Sequence, residues 1–311
     1  MARKVWSLRV LLASAATVAF MASVPLWGNE PLVGVGINLL AWVALSASWI
    51  VFSGLTGYIS LGHAVFYGIG GYVTALLWLS VPMAVSVAAG GVAAALLALV
   101  AGYPCLRVRG PYFVMLTFGL SQFVKFVVIE IETALQIGGR LILGAPELET
   151  IYWLFLAAAT AAVVLLAVIR YSRFGSGLRA IREDEVAAET IGVPTVKYKV
   201  IAFAISAIIP GLVGGIMLMR SGYLEPDTIF DPTVSLTMIC IAVIGGGNTP
   251  ATALLGSLFL VGLSETLWVR FPLVYMILLG CLLVTFVLAL PQGLLGLLTS
   301  VTSRVYGRGE K

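Results

Sequence analysis

Long apolar runs alternate with short polar breaks along most of this chain, and one polar interruption, 170–199, stands apart. The runs are close to the ~20 residues that a helix needs to cross a bilayer core about 30 Å thick. They predict ten spans, at 11–27, 31–52, 58–79, 81–103, 111–131, 151–169, 200–219, 232–244, 251–269 and 272–290. The first follows Arg3, Lys4 and Arg9, as a secretory signal would. No small-x-small cleavage site ends it, so it is expected to remain as a span.

Two spans are interrupted. The stretch 54–72 holds the only histidine, His63, together with Gly54, Gly57, Gly62, Gly68, Gly70 and Gly71. So many glycines predict a broken helix or the close approach of another backbone. Irregular backbone at membrane depth is tolerated inside protein or along a wet cavity. A transport route fits, and so does plain small-residue packing with His63 bonded to a neighbour. The eighth span is short and ends in Gly245-Gly246-Gly247-Asn248. From these two breaks, Gly57, Ser60, Gly62, His63, Phe66, Gly70, Gly245, Gly246 and Asn248 are the candidate route residues.

Inside the polar interruption, 184–192 predicts a short helix. Asp184 is the N-cap and Glu185 adds negative charge in the first turn. Gly192 supplies a left-handed stop, with Pro194 beyond it. So short a helix is unstable alone and must dock. Ala187 and Ala188 are small enough to admit another backbone closely. Leu178, Ile181, Ala188 and Ile191 fall on one stripe that needs cover. Either the loop packs on its own membrane domain, or another protein grips it.

Composition agrees with the pattern. Of the 311 residues, 60% are hydrophobic and 10% charged, and the mean hydropathy is +1.08. The fold class expected is an all-α integral membrane protein, one transmembrane domain over 1–311. Charge sets its orientation. With the N-terminus in the cytosol, 14 of the 18 basic residues fall on the cytosolic side. Glu30, Glu130, Glu132, Glu147, Glu149, Glu225, Asp227 and Asp231 fall outside. Ten crossings with both termini cytosolic follow, with 170–199 a cytosolic loop. An eight-crossing arrangement, with the third and eighth segments re-entrant, keeps much of the pattern and stays open. The net charge of +4 reflects this topology and not nucleic-acid binding. Cys105, Cys240 and Cys281 match no metal or redox spacing and are expected to be small core residues.

Chemistry narrows the classes. One histidine, and few acids within the spans, argue against an enzyme and against a metal site. An ion-coupled secondary transporter would use buried acids, and Glu265 is the fair candidate. It is expected to pair with Arg270 or Arg220. Lys125, in the fifth span, is expected to snorkel toward Glu130 and Glu132 or to pair internally. No Gly-x-x-x-x-Gly-Lys-[Ser/Thr] loop is present, so the chain holds no ATP in the usual way.

Ser60-Leu61-Gly62-His63-Ala64, with Phe66 and Gly68-x-Gly-Gly-Tyr72, resembles the signature of bacterial branched-chain amino acid importer permeases, the M-type (LivM-like) subunit. Arg109-Gly110-Pro111-Tyr112-Phe113, Arg173-Phe174-Gly175, Arg179-Ala180-Ile181-Arg182-Glu183, Ala187-Ala188-Glu189-x-x-Gly192, Tyr198-Lys199 and Gly245-Gly246-Gly247-Asn248 match in order. The resemblance implies one permease subunit of an ATP-binding-cassette importer in the bacterial plasma membrane. It implies a second, related permease, two cytosolic ATPase subunits that hold the ATP and Mg, and an extracytoplasmic solute-binding protein. It makes 184–192 a coupling helix, with Arg182, Glu185, Ala187, Ala188, Glu189 and Gly192 at the ATPase. Branched-chain amino acids are the default solute; urea, short amides and other amino acids stay open.

A single cysteine at position 176, in a cysteine-free background, should resist an impermeant maleimide in intact cells. It should react once the membrane is permeabilised. Labelling of intact cells would refute the cytosolic placement of 170–199.

Overall fold

The computed structural model describes residues 8–108, 110–136, 140–142 and 144–271, and in addition 274, 277–278, 280–281, 284–285 and 293–296. The predicted tenth span falls mostly outside the described residues. Arg3, Lys4, Arg109, Arg304, Arg308 and Lys311 fall outside them altogether.

Helices dominate. In order they are α1 (Leu8–Trp27), α2 (Glu30–Trp49), α3 (His63–Leu77), α4 (Met83–Cys105), α5 (Pro111–Ala134), α6 (Leu148–Tyr171), α7 (Arg173–Glu183), α8 (Glu185–Thr190), α9 (Thr195–Ser221), α10 (Pro226–Ile229), α11 (Thr233–Gly245) and α12 (Pro250–Arg270). Two short strands, β1 (Arg140–Leu141) and β2 (Tyr223–Leu224), pair antiparallel. Among the described residues, seven helical stretches are long and apolar enough to cross a membrane, and the apolar helices Thr17–Trp27 and His63–Leu77 are shorter. The chain is an all-α, multi-pass membrane protein.

The two ends of the bundle are distinct. β1 and β2 bring the connections after α5 and after α9 together, with Arg140 opposite Leu224. At the other end, Arg182 donates to the Gly54 carbonyl at 2.8 Å, and Arg170 donates to the Asn248 carbonyl. The connections expected outside therefore share one end. The end of α2, the 170–199 loop and the α11–α12 turn share the other.

Glycine decides how the centre packs. α9 lies against both α3 and α4. A methyl group at Gly70 would lie 2.0 Å from the Gly211 carbonyl oxygen, and one at Gly90 would lie 2.6 Å from that of Gly70. A methyl at Gly214 would meet the Tyr67 carbonyl at 2.0 Å. Three backbones thus touch with no side chain between them, the contact that small residues allow in a bilayer. α2 packs on α6, and the Tyr152 hydroxyl of α6 donates to the Met21 carbonyl of α1 at 2.6 Å. α5 is peripheral: Phe113, Thr117, Ser121 and Glu132 are buried, while Tyr112, Met115, Phe123 and Phe126 point outward. An apolar face of that kind needs lipid or another transmembrane chain.

The expected spans differ from the helices in two places. The polar interruption contains an unexpected helix, α7, capped at Ser172, whose hydroxyl accepts from the Gly175 amide at 3.0 Å. α9 starts at Thr195, so Lys197 and Lys199 are helical and not in the loop. Of the cysteines, Cys105 is buried, Cys240 half-buried and Cys281 exposed, so Cys281 is not a core residue.

Gly70→Ala should cost about 1–3 kcal/mol, because an added methyl must push two backbones apart. Gly119→Ala is the matched control, since nothing lies within 4 Å of that position. Thermal inactivation in detergent should separate the two; equal stabilities would contradict the three-helix contact.

Candidate functional site

α2 does not simply stop. Its last turn, Ile50–Gly54, widens into a π-helix, a local irregularity frequent at functional sites. Helix continues through Thr56, and the chain is then non-helical until α3 begins at His63. At ~1.5 Å per residue, the 15 residues of α3 reach about 22 Å, less than the bilayer core. The broken-helix expectation is met at 57–62.

Hydroxyl groups complete the backbone at the break. Ser53 accepts from the Ser60 amide at 3.2 Å, Thr117 from the Leu61 amide at 3.2 Å, and Ser235 from the Ala64 amide at 2.8 Å. Trp49 donates its ring N–H to the Ser60 carbonyl at 2.9 Å. The amides of Leu61 and Ala64 flank the start of α3, where amides lack helical partners. α2, α5 and α11 each contribute a side chain.

Below the break lies an aromatic cluster. Phe52 and Phe203 are 4.8 Å apart between centroids, Phe66 and Phe203 5.1 Å, and Tyr58 and Phe113 5.4 Å, edge-on. His63 is buried beside Phe66 and Phe203, with its Nδ1 3.3 Å from the Ser60 hydroxyl.

The candidate route residues thus separate into groups. Gly57 is exposed at the break, while Ser60, Gly62, His63 and Phe66 are buried in its walls. Gly62 sits against Thr117, whose Cβ would be 3.3 Å from an added methyl. Gly70 lies in the α3–α9 contact, so its small size serves packing there. Gly245 packs on Thr252 of α12, and Gly246 is left-handed where α11 turns. Asn248 reaches the first break: a methyl at Gly54 would lie 3.1 Å from its Oδ1. The two glycine-broken stretches meet there.

The 184–192 helix forms at the expected bounds. Asp184 accepts from the Val186 and Ala187 amides at 2.8 and 3.1 Å. Gly192, at φ 86°, ends the helix, with the Gly192 amide bonded to the Glu189 carbonyl at 3.0 Å and the Val193 amide to that of Ala188 at 3.0 Å. That pair of bonds is the Schellman stop. The expected stripe divides. Leu178 and Ile181 lie on α7 and are buried; Ala188 is 1% exposed, packed within its own chain. Ile191 is 75% exposed, because α7 and α8 are separate helices and the stripe turns between them. Ala188 therefore presents nothing to a partner, whereas Val186, Ala187 and Ile191 are uncovered. Glu189 is tied back by the Thr195 hydroxyl at 2.7 Å.

Two contacts bind this loop to the break. Besides its bond to Gly54, Arg182 lies under Gly57, where a methyl would be 3.1 Å from its Cγ. Glu185 accepts from Lys199 at 2.7 Å and from the Tyr58 hydroxyl. Tyr58 and Lys199 were not among the expected site residues. The available signal was a lysine four residues before Phe203, on the helix that follows the polar loop. A cleft of about 580 Å³ opens beside these groups, lined by Gly57, Tyr58, Pro111, Val114, Asp184 and Val186 among others.

The remaining charges are paired within the chain, as one of the expected alternatives had it. Lys125 pairs with Asp227 at 2.7 Å, not with Glu130 or Glu132. Arg220 donates to Asn38 at 2.8 Å, and Asn38 donates to Glu265 at 3.3 Å. Glu265 is thus held through an amide and not by a direct ion pair with Arg220.

A polytopic helical bundle with broken helices at membrane depth is the architecture of a transport permease. Residues 32–287 match the family described as "Branched-chain amino acid transport system / permease component", and the chain belongs to that family. It is 29% identical to the high-affinity branched-chain amino acid transport system permease protein LivM of Salmonella typhimurium, over 85% of this chain and 69% of that protein. To LivM of Escherichia coli K12 it is 28% identical, over 87% of this chain and 71% of that protein. To LivH of Salmonella typhimurium it is 26% identical, over 75% of this chain and 83% of that protein. The family thus includes two related permease subunits. No solved structure gives a significant match.

Gly192→Ala should loosen α8 by about 1–2 kcal/mol, the cost of a left-handed L-residue, since no atom lies within 4 Å of Gly192. Gly57→Ala should cost more, because φ 78° combines with the crowding from Arg182. Amide exchange in 184–193 should quicken in the first variant. Unchanged exchange would mean that the left-handed stop does not hold the helix.

Proposed function

We propose that this chain is the M-type permease subunit of an ATP-binding-cassette importer that moves branched-chain amino acids across the bacterial plasma membrane. It crosses ten times with both termini in the cytosol. A second, related permease completes the pore, and two cytosolic ATPase subunits bind ATP and Mg. An extracytoplasmic binding protein delivers the solute. The end of the bundle that carries β1 and β2 faces outward, and the end that carries α7 and α8 faces the cytosol.

The observation that carries this reading is α8. It has six residues, far below the ~12–15 at which an isolated helix becomes even marginal. Ala188 anchors it to its own chain, and Val186, Ala187 and Ile191 point away from the bundle. A small, anchored helix with an apolar outer face suits a groove on an ATPase. Arg182 and Glu185 serve differently from the partner contacts first expected of them, since both side chains reach inward to the break. The route runs past the junction of the two breaks, where Gly54, Gly57 and Asn248 come together.

Ala187→Trp places a bulky ring on the outer face without disturbing Ala188. The variant should insert and pair with the second permease, but should lose most co-purifying ATPase and at least about tenfold of solute-stimulated hydrolysis, as loss of a well-packed contact worth ~1.4 kcal/mol or more requires. Full ATPase retention with wild-type stimulation would remove α8 from the coupling role.

A further inference from the structure

We infer that Glu185, Lys199 and Tyr58 form a clasp that makes the α8 helix and the Gly54–Gly62 break move as one piece. This rests on the assignment of α8 as the coupling helix and deepens it, by naming the residues that carry motion from that helix into the membrane.

Three features single the clasp out. Its ammonium is deeply buried: Lys199 is 1% exposed, and Glu132 is the other charged residue buried among those described. Its contacts are concentrated. The ammonium donates to Glu185 at 2.7 Å and to the Tyr58 oxygen at 3.2 Å, and lies 4.5 Å from the Tyr58 ring centroid. The Tyr58 hydroxyl donates to the other Glu185 oxygen. Each member comes from a different element: Glu185 opens α8, Lys199 lies in α9, and Tyr58 belongs to the break.

Charge burial turns these contacts into a constraint. A buried ion pair adds little net stability, but separating it is costly, because each charge is left without water or a partner. α8 therefore cannot swing away from Lys199 and leave Tyr58 behind without breaking both part-buried bonds of Glu185. A second contact sets the direction. Arg182, three residues before Glu185, holds the Gly54 carbonyl, four residues before Tyr58. The loop and the break thus run side by side, joined at two points. A rigid push on α8 would reach the irregular segment at Tyr58, and through the adjoining end of α7 at Gly54.

Beyond the clasp the path continues by packing. Tyr58 meets Phe113 edge-on, Phe113 meets Phe203, and Phe203 meets His63 and Phe66 at the start of α3. Phe203 lies four residues after Lys199, on the same face of α9. Displacement of Tyr58 would so reach the mouth of α3 through rings in contact.

The test uses the complex purified through this chain. A single cysteine replacing Ile59, which is half exposed on the break, reports the position of that segment by its rate of maleimide labelling. We expect the rate to change by about fivefold or more between nucleotide-free and vanadate-trapped complex, the low end of typical coupling between sites. Tyr58→Phe keeps the ring but loses the hydroxyl bonds, and Glu185→Gln keeps the shape but loses the charge. Each should abolish most of that change while the ATPases still co-purify and hydrolyse ATP. The double variant should be no worse than the worse single one, as expected of groups acting as a unit. A constant labelling rate in the parent, an undiminished change in both single variants, or independent effects in the double variant would overturn the clasp. Ala187→Trp separates the two proposals. If it leaves the ATPases bound and stimulated, α8 is not the coupling helix; if it releases them while Tyr58→Phe changes nothing, the clasp alone fails.

Discussion

Backbone that leaves a helix inside a membrane must find its hydrogen bonds within the protein. That requirement governs the stretch between α2 and α3. Three hydroxyls, from Ser53, Thr117 and Ser235, accept from the amides of Ser60, Leu61 and Ala64. They come from α2, α5 and α11, so a local need for acceptors draws three distant parts of the chain to one place. Unmet, each amide would cost about 1–3 kcal/mol, and together that is a large part of the margin by which a domain stays folded. The irregular segment is therefore more tightly specified than its lack of helix suggests. Its polar lining is a structural requirement before it is a surface for any solute.

The centre of the bundle obeys a different rule. Apolar side chains gain nothing by leaving lipid for one another, so helices associate through close contact and hydrogen bonds. Gly70, Gly90, Gly211 and Gly214 provide that contact among α3, α4 and α9. Such a joint leaves no room for sliding, because any shift drives carbonyl oxygens into carbon atoms. The three helices must travel together. The contrast with the break is sharp: one part is held mainly by shape, with the Thr74 hydroxyl bonded to the Ser86 carbonyl, and the other by several directed bonds.

Seven of the spans, the break and the cap residues of α8 were legible because each depends on neighbours in sequence. Hydropathy gives a span, glycine density gives a break, and Asp184 with Gly192 delimits a helix whatever it docks on. What was hidden depends on distant pairing. No local pattern says that Lys199 sits under Tyr58, 141 positions away, or that Arg220 meets Glu265 through Asn38. The stripe through Leu178, Ile181, Ala188 and Ile191 assumed one continuous helix. Asp184, the N-cap that was recognised, has extended backbone at φ −158°, and so ends α7 as it starts α8. The same residue that made α8 legible thus broke the register on which its covered face was inferred. Gly70 shows the converse: its glycine was conspicuous, but a packing contact and a solute route leave the same mark in sequence.

These two kinds of joint together restrict how the protein could change shape. α3, α4 and α9 form a body that resists internal shear, and α9 carries Lys199 at its start. α8 is tied to that lysine, and the break is tied to α8. Motion delivered at α8 has two outlets: the whole body turns, or the segment from Gly54 to Gly62 flexes against it. The π turn lies at the start of that segment, a local irregularity frequent at functional sites. Asn248, set against Gly54, and Arg170, bonded to the Asn248 carbonyl, place the α11–α12 turn on the same segment. Flexing there would move both broken stretches at once, one against the other. The 170–199 loop and both glycine breaks are in this sense a single mechanical unit, assembled from three regions that the sequence keeps far apart.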